Sequence, residues 1–314
     1  MTNSTPAKLG VVIMTYGSAT TSEHVAEYMQ HLYKDAVPEG LVEDFMERYK
    51  QVGRSPLIEI TERQAELLEA ELNVSGDDFV VKAGMLHSHP FIDEAVQACR
   101  VAGAQQLVGV ILSPQFSSFI MEGYRTSLQN AAQKHGYGMD DVIVAGPWPT
   151  EANFIELLSE RVNEALGKLQ PQYGHVPVVF TTHSLPERVV ARDPAYLQQL
   201  QATAEAVVAK LDNPELEWYR GYQSAGHTPE PWLKPDLVDI LADLHDKHDT
   251  AVLIVPIQFL ADHLEILYDL DIAGGEQCAE YDIAYNRIEL PNTAPLFITS
   301  LAAVTKETAA TLHK

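Results

Sequence analysis

Short, wholly apolar segments that run straight into helix-forming ones recur along this chain, and no other feature restricts its fold as tightly. Leu9–Thr15 reads LGVVIMT, Leu107–Leu112 reads LVGVIL, Val176–Thr181 reads VPVVFT and Ala251–Val255 reads AVLIV. A half-exposed strand alternates apolar with polar residues. These runs do not, so they predict strands of a parallel sheet buried on both faces by helices. Further strands are predicted at Phe79–Met85, Val142–Ala145, Glu217–Tyr222 and Asp282–Tyr285. Helical spacing marks Glu23–Lys34, Leu41–Tyr49, Glu59–Leu72, Phe91–Ala102, Ile120–His135, Glu151–Leu169, Pro194–Leu211, Pro235–His245, a helix from Asp262, and Asn292–His313.

The alternation restarts half-way along. VVIMTYGS (Val11–Ser18) lies over VVFTTHSL (Val178–Leu185), which pairs Tyr16 with His183. VILSPQF (Val110–Phe116) lies over LIVPIQF (Leu253–Phe259), which pairs Gln115 with Gln258 and, beyond it, Glu122 with Glu265. Between these two matches the offset falls from 167 to 143 residues, so the first half carries 24 extra residues, with Lys34–Ile58 their natural place. The repeat predicts an α/β protein of two similar domains, 1–172 and 173–314, each with a roughly four-stranded parallel sheet flanked by helices. Their strand ends would face a shared cleft, Tyr16 on one wall and His183 on the other, with the extra segment as a lip and the C-terminal helix free to pack back on the first domain. Chance similarity between apolar strands is the alternative.

Composition narrows the partners. With 44 acidic against 21 basic side chains the net charge is -23, which argues against nucleic acid and against an anionic membrane surface. The N-terminus MTNSTPAKLG lacks the order of a signal peptide, and no apolar run approaches the roughly 20 residues that span a bilayer. A cytoplasmic protein with no membrane insertion is expected, and we expect a monomer. Cys99 and Cys278 lie far apart and form no C-x-x-C, so neither a disulfide framework nor an iron-sulfur or structural zinc site is expected.

Two stretches carry chemistry. His183 ends the run VVFTTH, at the carboxyl end of a strand, where open α/β sheets bind ligands. The following Ser184-Leu185-Pro186-Glu187 has the spacing of a capping box and predicts a helix start. The alternative for the histidine is a satisfied residue on a buried strand end. In ADHLEILYDLD (Ala261–Asp271), Glu265 and Asp269 stand at i and i+4 of the predicted helix, a mildly destabilising pair of like charges. They either bind a cation or form a solvated acidic face. A neutral imidazole suits Fe²⁺, and a carboxylate beside it orients the ring, balances charge or accepts protons. One His and one Glu are too few for a resident metal, which takes about three or four protein ligands. They suit a metal in passage, or proton removal.

Taken together, MTYGS, RSPLIEITERQAELL, GMLHSHPFIDEAV, LSPQFSS, THSLPE, YQSAGHTPEPWLKPD and DHLEILYD resemble the ferrochelatases, enzymes that insert ferrous iron into a porphyrin. The resemblance spans nearly the whole chain and implies two Rossmann-like domains around a porphyrin cleft. Length and the lack of a C-terminal cysteine cluster look like the soluble Gram-positive form, which metallates coproporphyrin III to coproheme in haem biosynthesis. Fe²⁺ and the porphyrin would be substrates, with no resident cofactor. The resemblance makes His183 and Glu265 the catalytic pair and metal ligands, sets Tyr16 axial to the product iron and places His87 near the macrocycle. For His87 the alternative is a strand-end residue steadying a turn.

A flat substrate wants apolar walls, for which Phe116, Ile120 and Trp232 are candidates, each equally readable as core. Its carboxylates want donors, for which Arg48, Arg54, Ser55, Tyr124 and Arg125 are available. Since the substrate would be tetra-anionic, a locally positive mouth is expected despite the acidic chain. Two departures stand out. An arginine-rich run in the family is replaced by QHLYKDAVPEG, with Lys34 its one basic residue other than histidine, and Ala273 stands where relatives continue an acidic ladder, which weakens an outer metal contact at Asp269. Competing readings are a cobalt/sirohydrochlorin-type chelatase and a porphyrin or haem carrier without turnover. A Ser184–His183 hydrolase is disfavoured, because adjacent side chains project apart and G-x-S-x-G is missing.

Overall fold

A computed structural model describes residues 8–34, 36–211, 213–226 and 229–312. The leader reading of residues 1–7, His227 and Thr228 of the YQSAGHTPEPWLKPD motif, and the predicted helix end at His313 lie outside the described residues. In chain order come β1 (Leu9–Thr15), α1 (Val25–Tyr33), α2 (Leu41–Val52), α3 (Leu57–Asn73), β2 (Phe79–Met85), α4 (Ile92–Val101), β3 (Gln106–Ile111), α5 (Ser118–Lys134) and β4 (Val142–Val144). They are followed by α6 (Ala152–Tyr173), β5 (Val178–His183), α7 (Glu187–Val190), α8 (Ala195–Lys210), β6 (Trp218–Gln223), α9 (Leu237–Asp246), β7 (Ala251–Pro256), α10 (Gly275–Glu280), β8 (Ala284–Arg287) and α11 (Pro295–Ala309). None of the described helices is long and apolar enough to cross a membrane.

The chain forms two compact units, Met1–Trp148 with Asn292–Lys314, and Pro149–Pro291. In the first, the parallel strands run in the order β2-β1-β3-β4. Central β1 is buried throughout Val11–Met14, as its unbroken apolar run requires. Helices α4 and α5 close a core over it with Ile92, Val96, Met121 and Leu128. The division differs from the predicted boundary at 172. Helix α6 packs on α8 and β7 in the second unit, whereas α11 returns to the first and packs on α3 and β3. Gln64 Nε2 donates to the Asn292 carbonyl at 2.6 Å, and the Trp148 and Phe297 rings meet with centroids 6.5 Å apart. Periodicity shows that a helix has an apolar face without showing which sheet receives it.

The second sheet runs β6-β5-β7-β8, also all parallel, so the internal repeat is a repeat of topology. Its register corrects one detail. The sequence overlay sets Val110 on Leu253, which would put Phe180 beside Leu253, but the sheet pairs Phe180 with Val255. A slip of two residues keeps every side chain on its own face, and so leaves no trace in the apolar pattern. Strand β8 likewise starts at Ala284 rather than Asp282, and the predicted Asn292–His313 helix starts at Pro295.

The extra segment of the first half contains α2 and is fastened to the loop after β1. Tyr49 donates its hydroxyl to the Ala19 carbonyl at 2.5 Å, Ser55 N–H donates to the Thr20 carbonyl at 2.9 Å, and the Ser18 and Ser55 hydroxyls meet at 2.9 Å. Gly17 makes that loop possible: its φ is +92°, and a Cβ there would strike the Ser88 hydroxyl.

Candidate active site at the end of strand β5

His183 is the last residue of β5, and its backbone N–H donates to the buried Gln258 side chain at 3.1 Å, whose amide nitrogen in turn donates to the Tyr196 hydroxyl at 2.6 Å. The ring is fixed from its other side. Nδ1 lies 2.5 Å from the Ser184 carbonyl, an oxygen that only accepts, so Nδ1 carries a proton. In the neutral ring the lone pair therefore sits on Nε2. That atom is 3.6 Å from Glu265 Oε2, with 31% of the histidine and 41% of the glutamate side chain exposed. A basic nitrogen and a carboxylate thus open together to solvent.

The backbone after His183 is clipped by residues 231–233. Glu187 N–H donates to the Pro231 carbonyl, Leu233 N–H to the Leu185 carbonyl, and Pro186 bridges Trp232. Here the predicted capping box fails. The Ser184 hydroxyl donates to the Leu233 carbonyl at 3.2 Å, and α7 starts only at Glu187 with Pro186 before it. The side chain is spent on tying the loop to the clip. Trp232 is part-buried, and Gly226 packs so closely that a Cβ there would fall 2.6 Å from the indole ring.

The segment that follows Glu265 is not α-helical. Ile266–Gly274 is a π-helix, which bonds i to i+5 and is wider than an α-helix, so the predicted i, i+4 stacking of Glu265 on Asp269 does not hold. Asp269 accepts from the Ser224 hydroxyl at 2.5 Å. His263 was not singled out from the sequence and belongs to the site. Its Nδ1 lies 2.9 Å from the Ala261 carbonyl, and Nε2 reaches 4.0 Å from Glu265 Oε2, so the carboxylate stands between two imidazoles held in the same tautomer. The spacing His263-x-Glu265 within DHLE was its available signal. Phe259 packs edge-on to both rings, with centroids 6.2 Å from His183 and 4.5 Å from His263. Among the described residues no group of three or more His, Cys, Asp or Glu is arranged to hold a metal.

In the first unit Tyr16 follows β1 and is 44% exposed, its ring 4.5 Å from that of His87. Burial and the neighbouring His31 push the His87 imidazole down to about 4, and its buried Nδ1 has no hydrogen-bond partner among the described residues. A cavity of about 520 Å³ adjoins it, lined by Ser18, Tyr28, His31, His87, His89 and Phe91 among others.

Comparison with known proteins decides the family. The ferrochelatase family model matches residues 8–309. The chain belongs to the ferrochelatase family. It is 37% identical over 307 residues to the coproporphyrin III ferrochelatase of Halalkalibacterium halodurans, covering 96% of this chain and 97% of that one. The same-named protein of Bacillus subtilis (strain 168) is 34% identical, covering 95% and 96%. Among solved structures, SirB from Bacillus subtilis with Fe3+ is similar with a TM-score of 0.60 at 14% identity, covering 96% of each chain, a likeness of fold.

The remaining residues expected in this ferrochelatase-family chain are placed unevenly. Arg54 pairs with Glu59 at 2.5 Å and Arg48 with Asp44 at 2.9 Å. Ser55 is buried against Ser18. Tyr124 is 5% exposed within the α4–α5 core, and burial raises its hydroxyl far above the usual range. Phe116 and Ile120 pack on that same core, with the Arg125 guanidinium 4.6 Å above the Phe116 ring. The apolar side chain that α5 presents outward is Phe119, 64% exposed and not named from the sequence. Helical position 119 rather than 120 faces out because Met121, Tyr124 and Leu128 set the buried stripe.

Proposed function

We propose that this chain inserts Fe²⁺ into coproporphyrin III to give coproheme. The relatives named coproporphyrin III ferrochelatase align over nearly the full length of both chains, which supports that porphyrin over protoporphyrin IX. The observation that carries the chemistry is the unprotonated Nε2 of the neutral His183 ring, 3.6 Å from Glu265 Oε2.

Metallation exchanges two pyrrole protons for one ferrous ion. A macrocycle held flat cannot present its nitrogens to the metal, so catalysis consists of binding a distorted ring and accepting its protons. His183 Nε2 takes a proton while Nδ1 stays bonded to the Ser184 carbonyl, and the Glu265 carboxylate offsets the imidazolium that results. His263, on the other side of that carboxylate, offers a second acceptor. While Nε2 is still unprotonated, that nitrogen and a Glu265 oxygen are instead the pair that ligates the iron in transit, since an imidazole nitrogen and a carboxylate oxygen suit Fe²⁺.

We assign Tyr16 to the iron-facing side of the product and His87 and Trp232 to contacts with the macrocycle. Arg54 and Ser55 keep their place as substrate contacts where opening of the Arg54–Glu59 and Ser18–Ser55 pairs frees them, Phe116 and Tyr124 keep theirs where the core edge of α5 meets the substrate, and Asp269 is a weak outer metal contact. We place the protein in the cytoplasm as a monomer.

An anaerobic assay with Fe²⁺ and either coproporphyrin III or protoporphyrin IX tests this, read by visible absorbance. Coproporphyrin III is expected to be metallated faster. Cobalt insertion into sirohydrochlorin without iron insertion into either porphyrin would refute it.

A further inference from the structure

We propose that Arg287 is a positioning residue that sets where the Glu265 carboxylate meets His183, an inference that rests on the ferrochelatase reading of that pair. Arg287 ends strand β8, and its guanidinium grips both ends of the segment that carries Glu265. Nε and Nη2 make a two-pronged contact with Asp271 at 2.7 and 2.8 Å, while Nη2 also reaches Asp262 at 3.4 Å. Asp262 immediately precedes His263, and Asp271 lies inside the π-helix. Nη1 is held by the Ile288 carbonyl at 3.0 Å, and the Tyr285 hydroxyl donates to Asp271 at 3.1 Å, so the fork is fixed at its base. The Arg287 side chain is 13% exposed.

The sheet turns this clamp into a positioning device. Arg287 pairs with Ile254 of β7, and β7 pairs with β5, whose last residue is His183. Imidazole and guanidinium are therefore mounted on one hydrogen-bonded frame. Residues 259–263, by contrast, are in neither helix nor strand, and the π-helix after Glu265 is an uncommon and adaptable turn. The Leu267 N–H bond to the His263 carbonyl closes the turn around Glu265 but does not fix its distance from His183. The bridge through Asp262 and Asp271 does so, by tying both flanks of Glu265 to the strand array that holds its partner. Arginine is needed because it presents planar, divergent donors, whereas a lysine ammonium is a single point charge.

The test uses the full-length chain, with anaerobic metallation kinetics and, separately, porphyrin affinity by fluorescence titration. Arg287→Lys keeps the charge and is expected to lower kcat about tenfold or more, with porphyrin KM and affinity within about twofold of wild type. Asp262→Asn, which leaves the Asp271 contact in place, is expected to lower kcat less. The double variant is expected to be no slower than Arg287→Lys alone, since both changes open one clamp. An Arg287→Lys enzyme with wild-type kcat overturns the inference, as does a loss of kcat matched by equal losses of porphyrin affinity and thermal stability. A wild-type chain that metallates no porphyrin overturns the functional reading and this inference together, so the two failures are distinguishable.

Discussion

Glu265 Oε2 stands 3.6 Å from Nε2 of His183, and the Ser184 carbonyl, 2.5 Å from the other ring nitrogen, leaves that Nε2 as the only basic position of the neutral ring. The two residues are far apart in the chain and are brought together by one sheet, on which β5 and β7 are neighbours. The site thus depends on two independent devices, one that fixes a tautomer and one that fixes a carboxylate.

Removing the nitrogen should be worse than neutralising the carboxylate. His183→Ala deletes the proton acceptor and is expected to lower kcat by about 10²- to 10⁴-fold, the usual range for a positioned acid or base. Glu265→Gln keeps the shape and loses the charge that balances an imidazolium, so a smaller loss, still above about tenfold, is expected. Porphyrin affinity, read by fluorescence titration, should change little in either. Near-wild-type turnover in both variants would remove the pair from the mechanism.

His263 offers a finer test, because an asparagine can imitate part of it. In His263→Asn the amide nitrogen can still donate to the Ala261 carbonyl, which in the native protein accepts from Nδ1 at 2.9 Å, but nothing replaces the Nε2 that faces Glu265. Turnover is expected to fall about tenfold with thermal stability unchanged. If His263→Asn turns over normally while His263→Ala does not, the ring serves only to hold the loop.

The fold was legible because its cause is local. Apolar runs such as Val11–Met14 have one use in a chain of this length, and helices between them force parallel pairing. Equally local was the resemblance that picked out His183 and Glu265. What escaped depended on contacts between distant residues. The hydroxyl of Ser184 has the spacing of a cap yet bonds to Leu233, 49 residues on. The π-helix changes which acids align, and no pattern in ILYDLDIAG announces it. Tyr124, expected as a donor to the substrate's carboxylates, packs in the core beside Leu128. Arg287 drew no notice at all, since its two partners lie 25 and 16 residues away.

The loop after β1 rests on a single glycine. At Gly17, φ of +92° strains any side chain, and a methyl group would also meet the Ser88 hydroxyl. Gly17→Ala is expected to destabilise the protein by about 1–3 kcal/mol. A lower urea midpoint with an unchanged slope would show this. An unchanged midpoint would mean that the loop relaxes freely and that the contacts from Tyr28, Tyr49 and Ser55 do not depend on its shape.

His87 gives the first unit a defined dependence on pH. Its ring is packed between Tyr16 and His31, with centroids 4.5 and 5.5 Å away, and burial followed by the charge of His31 lowers its pKa from 6.5 to about 4. Between those values the unfolded chain takes up a proton at this residue and the folded chain does not. Stability therefore rises with pH across the window, is fully present above 6.5, and is lost as pH falls toward 4. The whole shift corresponds to roughly 3 kcal/mol, and because the ring is only half buried, solvent screening reduces this to about 1–2 kcal/mol. His87→Gln is neutral at every pH and isolates the effect from the many carboxylates that titrate nearby. Urea unfolding at pH 7 and pH 4.5 should show wild type losing about 1–2 kcal/mol more than His87→Gln between the two conditions. Parallel losses in both proteins would mean that the His87 ring takes up its proton as readily folded as unfolded.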